Sequence, residues 1–493
     1  PCHDINKWET FKKYCMRDVD VERQIADKLK MYPISDEEHR LYVLDQIIND
    51  RGVLVDSELA EQAVKLNSIQ TAVAVEQAYM ITGLENPNSV TQLKQWLKEK
   101  GVEIESLSKK SVKSLADETD GDVSEMLKLR LLMAKTSVKK YEAVIRSVCS
   151  DNRVHGMMRF CGANRTGRWS GNILQPQNLP QNHLPDLTLA RDIVKDGDFE
   201  MLDMMFGNVP NVLSELIRTV LIPKPNHRFI VADFSAIEAR VLAWIAGEQW
   251  RIDTFKNGGD IYCASASKMF KVPVEKHGVN GELRQKGKIS ELACGYGGSV
   301  GALKNMGAVE MGVQENELQG LINDWRNANP HIVRFWYEVG NAAMKAIKEK
   351  TTVPLGKLVF AYERGILFIR LPSGRRLSYI KPRIGTNRFG GDSITYMGIN
   401  SAKKWDRLET FGGKLTENIV QGTARDLLAN ALINAANAGY DTVFHVHDEI
   451  ICEVPNGYGS VDELCKLMCI KPEWADGLPL NADGFECEYY KKE

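Results

Sequence analysis

The sequence predicts an α+β fold, with helices filling the first 150 residues and short apolar strands alternating with helices after that. Three observations carry this expectation. Apolar residues recur at helical spacing in long stretches before residue 150. From about residue 151 the texture changes to Gly-, Asn- and Pro-rich segments and short apolar runs. Two of those runs lead into carboxylates, at Asp233 and at Asp448.

Residues 1–30 read as a helix with Ile5, Trp8, Phe11 and Cys15 on one face, broken at Tyr32-Pro33. Ser35 caps the next helix, which runs to about Asp50 with Glu38 at the capping-box position. Arg51-Gly52 stops it, and Val53-Leu54-Val55 is extended. Asp56 to Thr82 is a long amphipathic helix, Asn86-Pro87-Asn88 a linker, and Ser89 to Lys100 a short helix. Ser124 to Val148 is periodic enough for one helix or a helix pair. Arg228 to Asp233 is a short buried strand, followed by a helix from Ser235 to Ala246. Residues 282–296 form a helix, and residues 351–385 are strands joined by Gly and Pro turns. Lys414 to Asn437 is helical, and Val443 to Val446 and Ile450 to Val454 are strands flanking a His-Asp-Glu tip.

The 493 residues, 43% hydrophobic and 26% charged, give ample material for a core, and the length suggests about two to four domains. No apolar run reaches the roughly 18 residues of a membrane span. The start, Pro1 to Phe11, is polar and mixed in charge, so no signal peptide is expected there; lacking Met, the chain is expected to be a fragment or a processed product. Ten Cys are scattered without a framework spacing. Cys465 and Cys469 stand at i,i+4 with no partner pair, so reduced thiols in a cytosolic protein are expected rather than zinc ligands. The net charge is −2 and the pI about 6.6, which excludes a wholesale polycation. Yet Met126 to Arg168 holds ten basic residues, Lys128, Arg130, Lys135, Lys139, Lys140, Arg146, Arg153, Arg159, Arg165 and Arg168, opposed by Glu142 and Asp151. Such an excess either neutralises phosphates or is a solvated helix face.

Three segments carry chemistry. In Val231-Ala232-Asp233-Phe234-Ser235-Ala236-Ile237-Glu238-Ala239-Arg240 an apolar strand ends in a carboxylate and a helix begins. A carboxylate there is rigid yet accessible, as a metal ligand should be; Glu238 could equally be an acid complementing a helix N-terminus. In His447-Asp448-Glu449 two strands meet at a tip rich in acid, where ordinary hairpins place Gly or Asn. That tip is either merely polar or set beside a cation. Arg284, Lys288, Leu292 and Tyr296 stand four residues apart and share one helical stripe. Two cations, an apolar residue and an aromatic suit a triphosphate with its sugar and base, though a solvated cationic face has the same pattern. Together, two acids at strand ends can bridge two Mg²⁺ ions, with Arg284 and Lys288 opposite charge developing on phosphates.

These segments resemble DNA polymerase family A. Asp233 to Arg240 is similar to its motif A, Arg284-x3-Lys288-x7-Tyr296-Gly297 to motif B, and His447-Asp448-Glu449 to motif C. Thr166-Gly167-Arg168 with Gln175-Pro-Gln-Asn178-Leu-Pro180, and Gln421-Gly422-Thr423-Ala424, are similar to its primer-template segments. The likeness runs from about 126 to 455, and Tyr296 to Leu303 looks closest to phage and prophage members. It implies a right-hand fold: an exonuclease remnant over 1–32, a helical connection over 33–88, the thumb over 89–150, the palm over 151–255 and 401–493, and the fingers over 256–400. Asp233 and Asp448, with the Phe234 carbonyl, would hold two Mg²⁺ (or Mn²⁺). Glu449 would sit near the primer end, and Lys288 would protonate the leaving pyrophosphate. Arg284 and Tyr262 would meet the phosphates. Glu238 would exclude a 2′-hydroxyl beside Tyr296, with Leu292 in the sugar region. Arg168, Gln421 and His447 would read the minor groove, and Lys135, Lys139 and Lys140 would grip DNA phosphates.

Where the family usually has an aromatic, this chain has Leu292, and where many members have His it has Tyr262, with slightly longer spacing to Arg284. Tyr14-Cys-Met-Arg-Asp18 resembles the last motif of the family's proofreading exonuclease. One carboxylate cannot assemble a two-metal nuclease, so this chain is not expected to proofread. The partners implied are primer-template DNA and dNTPs, acting as a monomer in the cytoplasm of a bacterium or phage-infected host, with no membrane. Two rival functions remain at this point: a single-subunit RNA polymerase, opposed by Glu238 and Glu449, and a non-catalytic primer-template-binding protein, opposed by the full set of acids.

Overall fold

The computed structural model describes residues 4–133, 138–387 and 390–492. The chain divides into two compact units, residues 1–47 and residues 48–493. In the first, the helix Ile5–Leu29 is capped by Asp4, whose carboxylate accepts from the Lys7 amide at 3.0 Å. The apolar side chains expected on one face, Ile5, Trp8 and Phe11, are exposed, and Trp8 stacks on Phe11 at 5.7 Å. The Ser35 hydroxyl accepts from the Glu38 amide at 3.2 Å, the cap foreseen from sequence.

In the second unit the helix Ser57–Thr82 starts at a capping Asp56 and ends at Gly83, whose φ of 67° a side chain would strain. Its C-terminal half meets the helices Val90–Glu99, Lys109–Glu118 and Gly121–Met133 in a core of Ala74, Ala78, Leu93, Trp96, Val112 and Leu127. The basic stretch is therefore divided: Lys128 and Arg130 lie on the helix Gly121–Met133, Lys139, Lys140 and Arg146 on the helix Lys139–Ser147, and Arg153, Arg159, Arg165 and Arg168 on the strands and loops that follow. Lys135 lies outside the described residues. Three short helices, Leu187–Asp196, Phe199–Phe206 and Val209–Leu216, fill a region that composition marked as loops and strands. Each is about two to three turns long, too short for periodicity to register.

The central sheet is antiparallel, in the order Thr442–Val446, Glu449–Pro455, His227–Phe234, Ala482–Cys487. Phe229 to Ala232 are buried on both faces, which explains why the strand reads as a continuous apolar run. The helix Leu283–Cys294 lies against Ile261–Phe270. Gly287 permits the approach: a Cβ there would stand 2.3 Å from the Tyr262 carbonyl oxygen. A second, six-stranded sheet runs in sequence order from Thr352–Leu355 through Leu358–Glu363, Ile366–Arg370, Arg376–Thr386 and Asp392–Ile399 to Trp405–Thr410. Val339, Phe360, Ile369, Tyr379, Leu415 and Ile419 join its inner face to the helices Pro330–Glu349 and Gly412–Asn437. The sheet continues past residue 400, where the sequence placed a boundary.

Candidate active site

The register of the central sheet sets Asp233 opposite Glu449 on one side and Asp483 on the other. Val446 pairs with Glu449, so His447 and Asp448 form a two-residue tip and Glu449 opens the strand. His447 holds a φ of 56°, a left-handed conformation that a non-glycine residue adopts at some cost. The Phe234 amide donates to the Asp448 carbonyl at 3.3 Å, locking the tip to the end of the strand that bears Asp233. The two aspartates thus share one end of neighbouring strands. Their charges interact: burial, then Asp448, raises the Asp233 carboxyl to about 7, and burial raises Asp448 to about 6 against the pull of Arg168. Asp233 Oδ1 is buried with no hydrogen-bond partner, so its lone pairs could serve a cation. Among the described residues no set of three or more His, Cys, Asp or Glu is arranged as a metal cluster. A cation held by two aspartates keeps open positions for a substrate, as a catalytic site requires.

A stability effect follows from this repulsion. Both carboxyls titrate above their unfolded values, so the stability they lend below about pH 4 is lost as pH rises through 6 to 7. With metal chelated at pH 7.5, Asp448→Asn is expected to melt as though more stable by about 1–2 kcal/mol, after discounting for the solvent that reaches Asp233. Scanning calorimetry in EDTA measures this; a variant less stable than the parent under those conditions contradicts it.

Sequence reading overlooked Lys492 and Tyr490. Lys492 Nζ lies 3.6 Å from Asp233 Oδ2 and 3.2 Å from Glu449 Oε2, and the Tyr490 hydroxyl donates to Glu449 Oε1 at 2.6 Å. Both lie in a short C-terminal stretch whose spacing carries no motif. Glu449 is buried and held by these two groups, and its charge, with that of Asp448, opposes ionisation of Asp233 while Lys492 favours it.

Glu238 sits in the first turn of the helix Ile237–Ala246 and takes two bonds. Arg168 donates to Oε1 at 2.7 Å and the Tyr296 hydroxyl to Oε2 at 2.7 Å. Arg168 Nε also donates to the Gln421 carbonyl at 3.3 Å. The loop bearing Arg168 is braced by two further arginines. Arg375 donates to the carbonyls of Thr166 (2.8 Å) and Gly422 (2.9 Å) and pairs with Asp426, and Arg425 donates to the Gly167 carbonyl at 3.0 Å. Gly167 has φ 74°, and a Cβ there would strike Arg375 at 2.5 Å. A solvent-accessible cleft is lined by Arg168, Gln177, His447 and Asp448.

The helix Leu283–Cys294 ends two residues before Tyr296, which lies in the following turn rather than on the helix as expected. Gly287, Ile289, Ser290, Ala293 and Cys294 are buried, leaving Arg284, Lys288 and Leu292 on the accessible side. Arg284 pairs with Asp260 at 2.8 Å and lies 5.2 Å from the Tyr262 ring. Lys288 is exposed, and among the described residues no carboxylate is within ion-pair reach of it. Of the other basic residues, Lys139 is exposed, whereas Lys140 Nζ donates to the Asn178 carbonyl at 2.7 Å. Arg130 and Arg153 are likewise committed, to Asn88 and to Glu453.

Comparison with known proteins fits this geometry. The profile of DNA polymerase family A matches residues 57–471. A DNA polymerase of Bacillus phage SP02 is 52% identical over 496 residues, covering all of this chain and 76% of the phage protein. DNA polymerase I of Rhizobium leguminosarum is 29% identical over 247 residues, 48% of this chain and 20% of that protein. Among solved structures, the POL domain of Pol1 from M. smegmatis, in complex with DNA primer-template and dNTP, has a TM-score of 0.64 at 21% identity, over 95% of this chain and 72% of that one.

Proposed function

The chain belongs to DNA polymerase family A, and from that membership we propose that it extends a DNA primer, copying a template strand from dNTPs at the site built on Asp233 and Asp448. The unpartnered Asp233 oxygen beside a second, mutually repelling aspartate is the observation that carries this assignment to residues. The family acts with divalent metal ions. Asp233 and Asp448, with the Phe234 carbonyl, would hold two Mg²⁺, with Mn²⁺ able to replace them. Bound there, the ions would lower the pKa of the attacking 3′-hydroxyl and offset charge on the leaving pyrophosphate.

The rest falls to side chains. Arg284 and Lys288 face the triphosphate, and Lys288, with no carboxylate partner among the described residues, would give a proton to pyrophosphate. Tyr262 lies beside Arg284 at the phosphate end, and Leu292 lines the sugar region. Lys492 and Glu449 fix the charge around Asp233. Arg168, Gln421 and His447 meet the minor-groove edge of the primer terminus, where shape rather than sequence is read. Lys139, with Lys135, grips phosphates, while Lys140 acts by fastening the Asn178 segment. Residues 89–150 are the thumb, 256–400 the fingers, with the six-stranded sheet continuing beyond them, and 151–255 and 401–493 the palm. Within residues 1–32 the segment Tyr14 to Asp18 is like the last motif of an exonuclease and supplies a single carboxylate of the several that a two-metal nuclease needs. We place the protein as a monomer in the cytoplasm of a bacterial or phage-infected cell; no described helix is long and apolar enough to cross a membrane.

Glu238, clamped between Arg168 and Tyr296, fills the position where a 2′-hydroxyl would sit and selects deoxynucleotides. Glu238→Ala is expected to raise the rNTP-to-dNTP incorporation ratio at least about tenfold, since removing a steric and polar block is worth about 1.4 kcal/mol or more. Single-nucleotide extension with each substrate class measures it. Robust rNTP extension by the unmodified chain would instead favour an RNA polymerase.

A further inference from the structure

We propose that the edge of the six-stranded sheet around Trp405 is a docking platform for single-stranded template DNA, a surface distinct from the catalytic cleft. The inference rests on the polymerase reading above. Trp405 and Ile399 face each other across the last two strands and are 57% and 50% exposed, on the side of the sheet away from its helices. An exposed indole on an edge strand is a liability unless something covers it.

The surroundings say what the cover is. Lys403 and Lys404 immediately precede Trp405, both exposed, and among the described residues no carboxylate pairs with either. Arg407 is bonded to the Lys381 carbonyl (3.3 Å) and the Thr395 hydroxyl (3.1 Å), so its charge is not neutralised by an acid side chain. Of the acids on this strand, Asp406 is engaged by Asn400 and by the Arg407 amide, and Glu409 stands at the far end. The hairpin also touches the loop of the proposed primer-template interface. Arg165 stacks 4.4 Å from the Tyr396 ring, and a Cβ on Gly398 would lie 2.2 Å from its guanidinium. Arg165, three residues from Arg168, thus fastens that loop to the helix-facing side of these strands, and Trp405 and Ile399 lie on the other side of the same pair.

An aromatic face among cations suits an unpaired strand. Bases in a duplex are stacked on both faces, whereas single-stranded bases can stack on an indole while lysines and arginines follow the phosphates. A polymerase template is single-stranded ahead of the primer end.

The test uses fluorescence anisotropy with the whole chain and two primer-templates that differ in template overhang, one nucleotide against about fifteen. The parent is expected to bind the long-overhang DNA at least fivefold more tightly. Trp405→Ala should remove that preference, since stacking on one aromatic contributes about fivefold or more. Binding of the short-overhang DNA, and its extension, should be unchanged. Lys403→Ala with Lys404→Ala should lower the salt dependence on the long-overhang DNA by about 1.4 in log–log slope. No overhang preference in the parent, a preference that survives Trp405→Ala, or equal losses on both DNAs overturns the proposal. If the parent fails to extend the short-overhang DNA, the polymerase reading fails, whatever the binding shows.

Discussion

Replacing Asp233 or Asp448 by alanine is expected to lower primer extension by about a thousandfold or more, which is about 4 kcal/mol of transition-state stabilisation. The expectation follows from where the two residues stand. Each carboxylate is fixed by backbone: Asp233 by strands on both sides, Asp448 by a two-residue tip whose carbonyl receives the Phe234 amide. Neither could be replaced by a neighbour. Asp483, opposite Asp233 in the register, is tied to Ser235, and Glu449 is held by Tyr490 and Lys492. DNA binding should be nearly unchanged, because duplex affinity comes from phosphate contacts spread over the surface. Rapid-quench extension alongside anisotropy separates the two quantities. Extension within tenfold of the parent for either variant would remove the pair from the chemistry.

Much of this site could be read from sequence because its elements leave strong local signals. The strand around Val231 is buried on both faces and reads as an unbroken apolar run, and the tip at His447 replaces the usual turn residues with an acid. The spacing of Arg284, Lys288 and Leu292 is that of one helix face, and the structure leaves those residues on the accessible side. Tyr296 departs from that pattern because the helix stops at Cys294. What sequence could not show is pairing at a distance. Lys492 gains its meaning from Asp233, 259 positions earlier, and Ala482–Cys487 becomes a strand because the edge of His227–Phe234 is there to receive it. The last two strands of the six-stranded sheet, Asp392–Ile399 and the edge strand Trp405–Thr410, carry Gly, Asp and Arg in place of a clean apolar alternation, so their identity also rests on tertiary pairing. Lys140, read as a phosphate-gripping cation, also donates to the Asn178 carbonyl, a partner 38 positions away that spacing along the chain does not reveal.

The second large effect concerns Glu291, which sits on the buried side of the cationic helix, between Lys288 and Leu292 in sequence. Its carboxylate is 5% exposed and accepts from Arg251 (2.8 and 2.5 Å), Ser265 (2.7 Å) and Trp325 (2.9 Å). Those donors come from three different helices, so a single acid fixes the orientation of the helix that bears Arg284 and Lys288. Arg251 is itself 1% exposed, and besides Glu291 it reaches the Asn329 side chain. Glu291→Ala would strand this guanidinium in the interior, and a loss of about 3–5 kcal/mol in urea unfolding is expected. Replacing both partners by methionine should recover most of that loss, because the penalty lies in the uncompensated charge and not in the absence of the pair. Stability and function should then separate. The double variant is expected to fold well yet require a higher dNTP concentration for half-maximal extension, since an apolar contact lacks the directionality that sets the helix angle. A Glu291→Ala protein that unfolds within 1 kcal/mol of the parent would show that the network does not hold the helix.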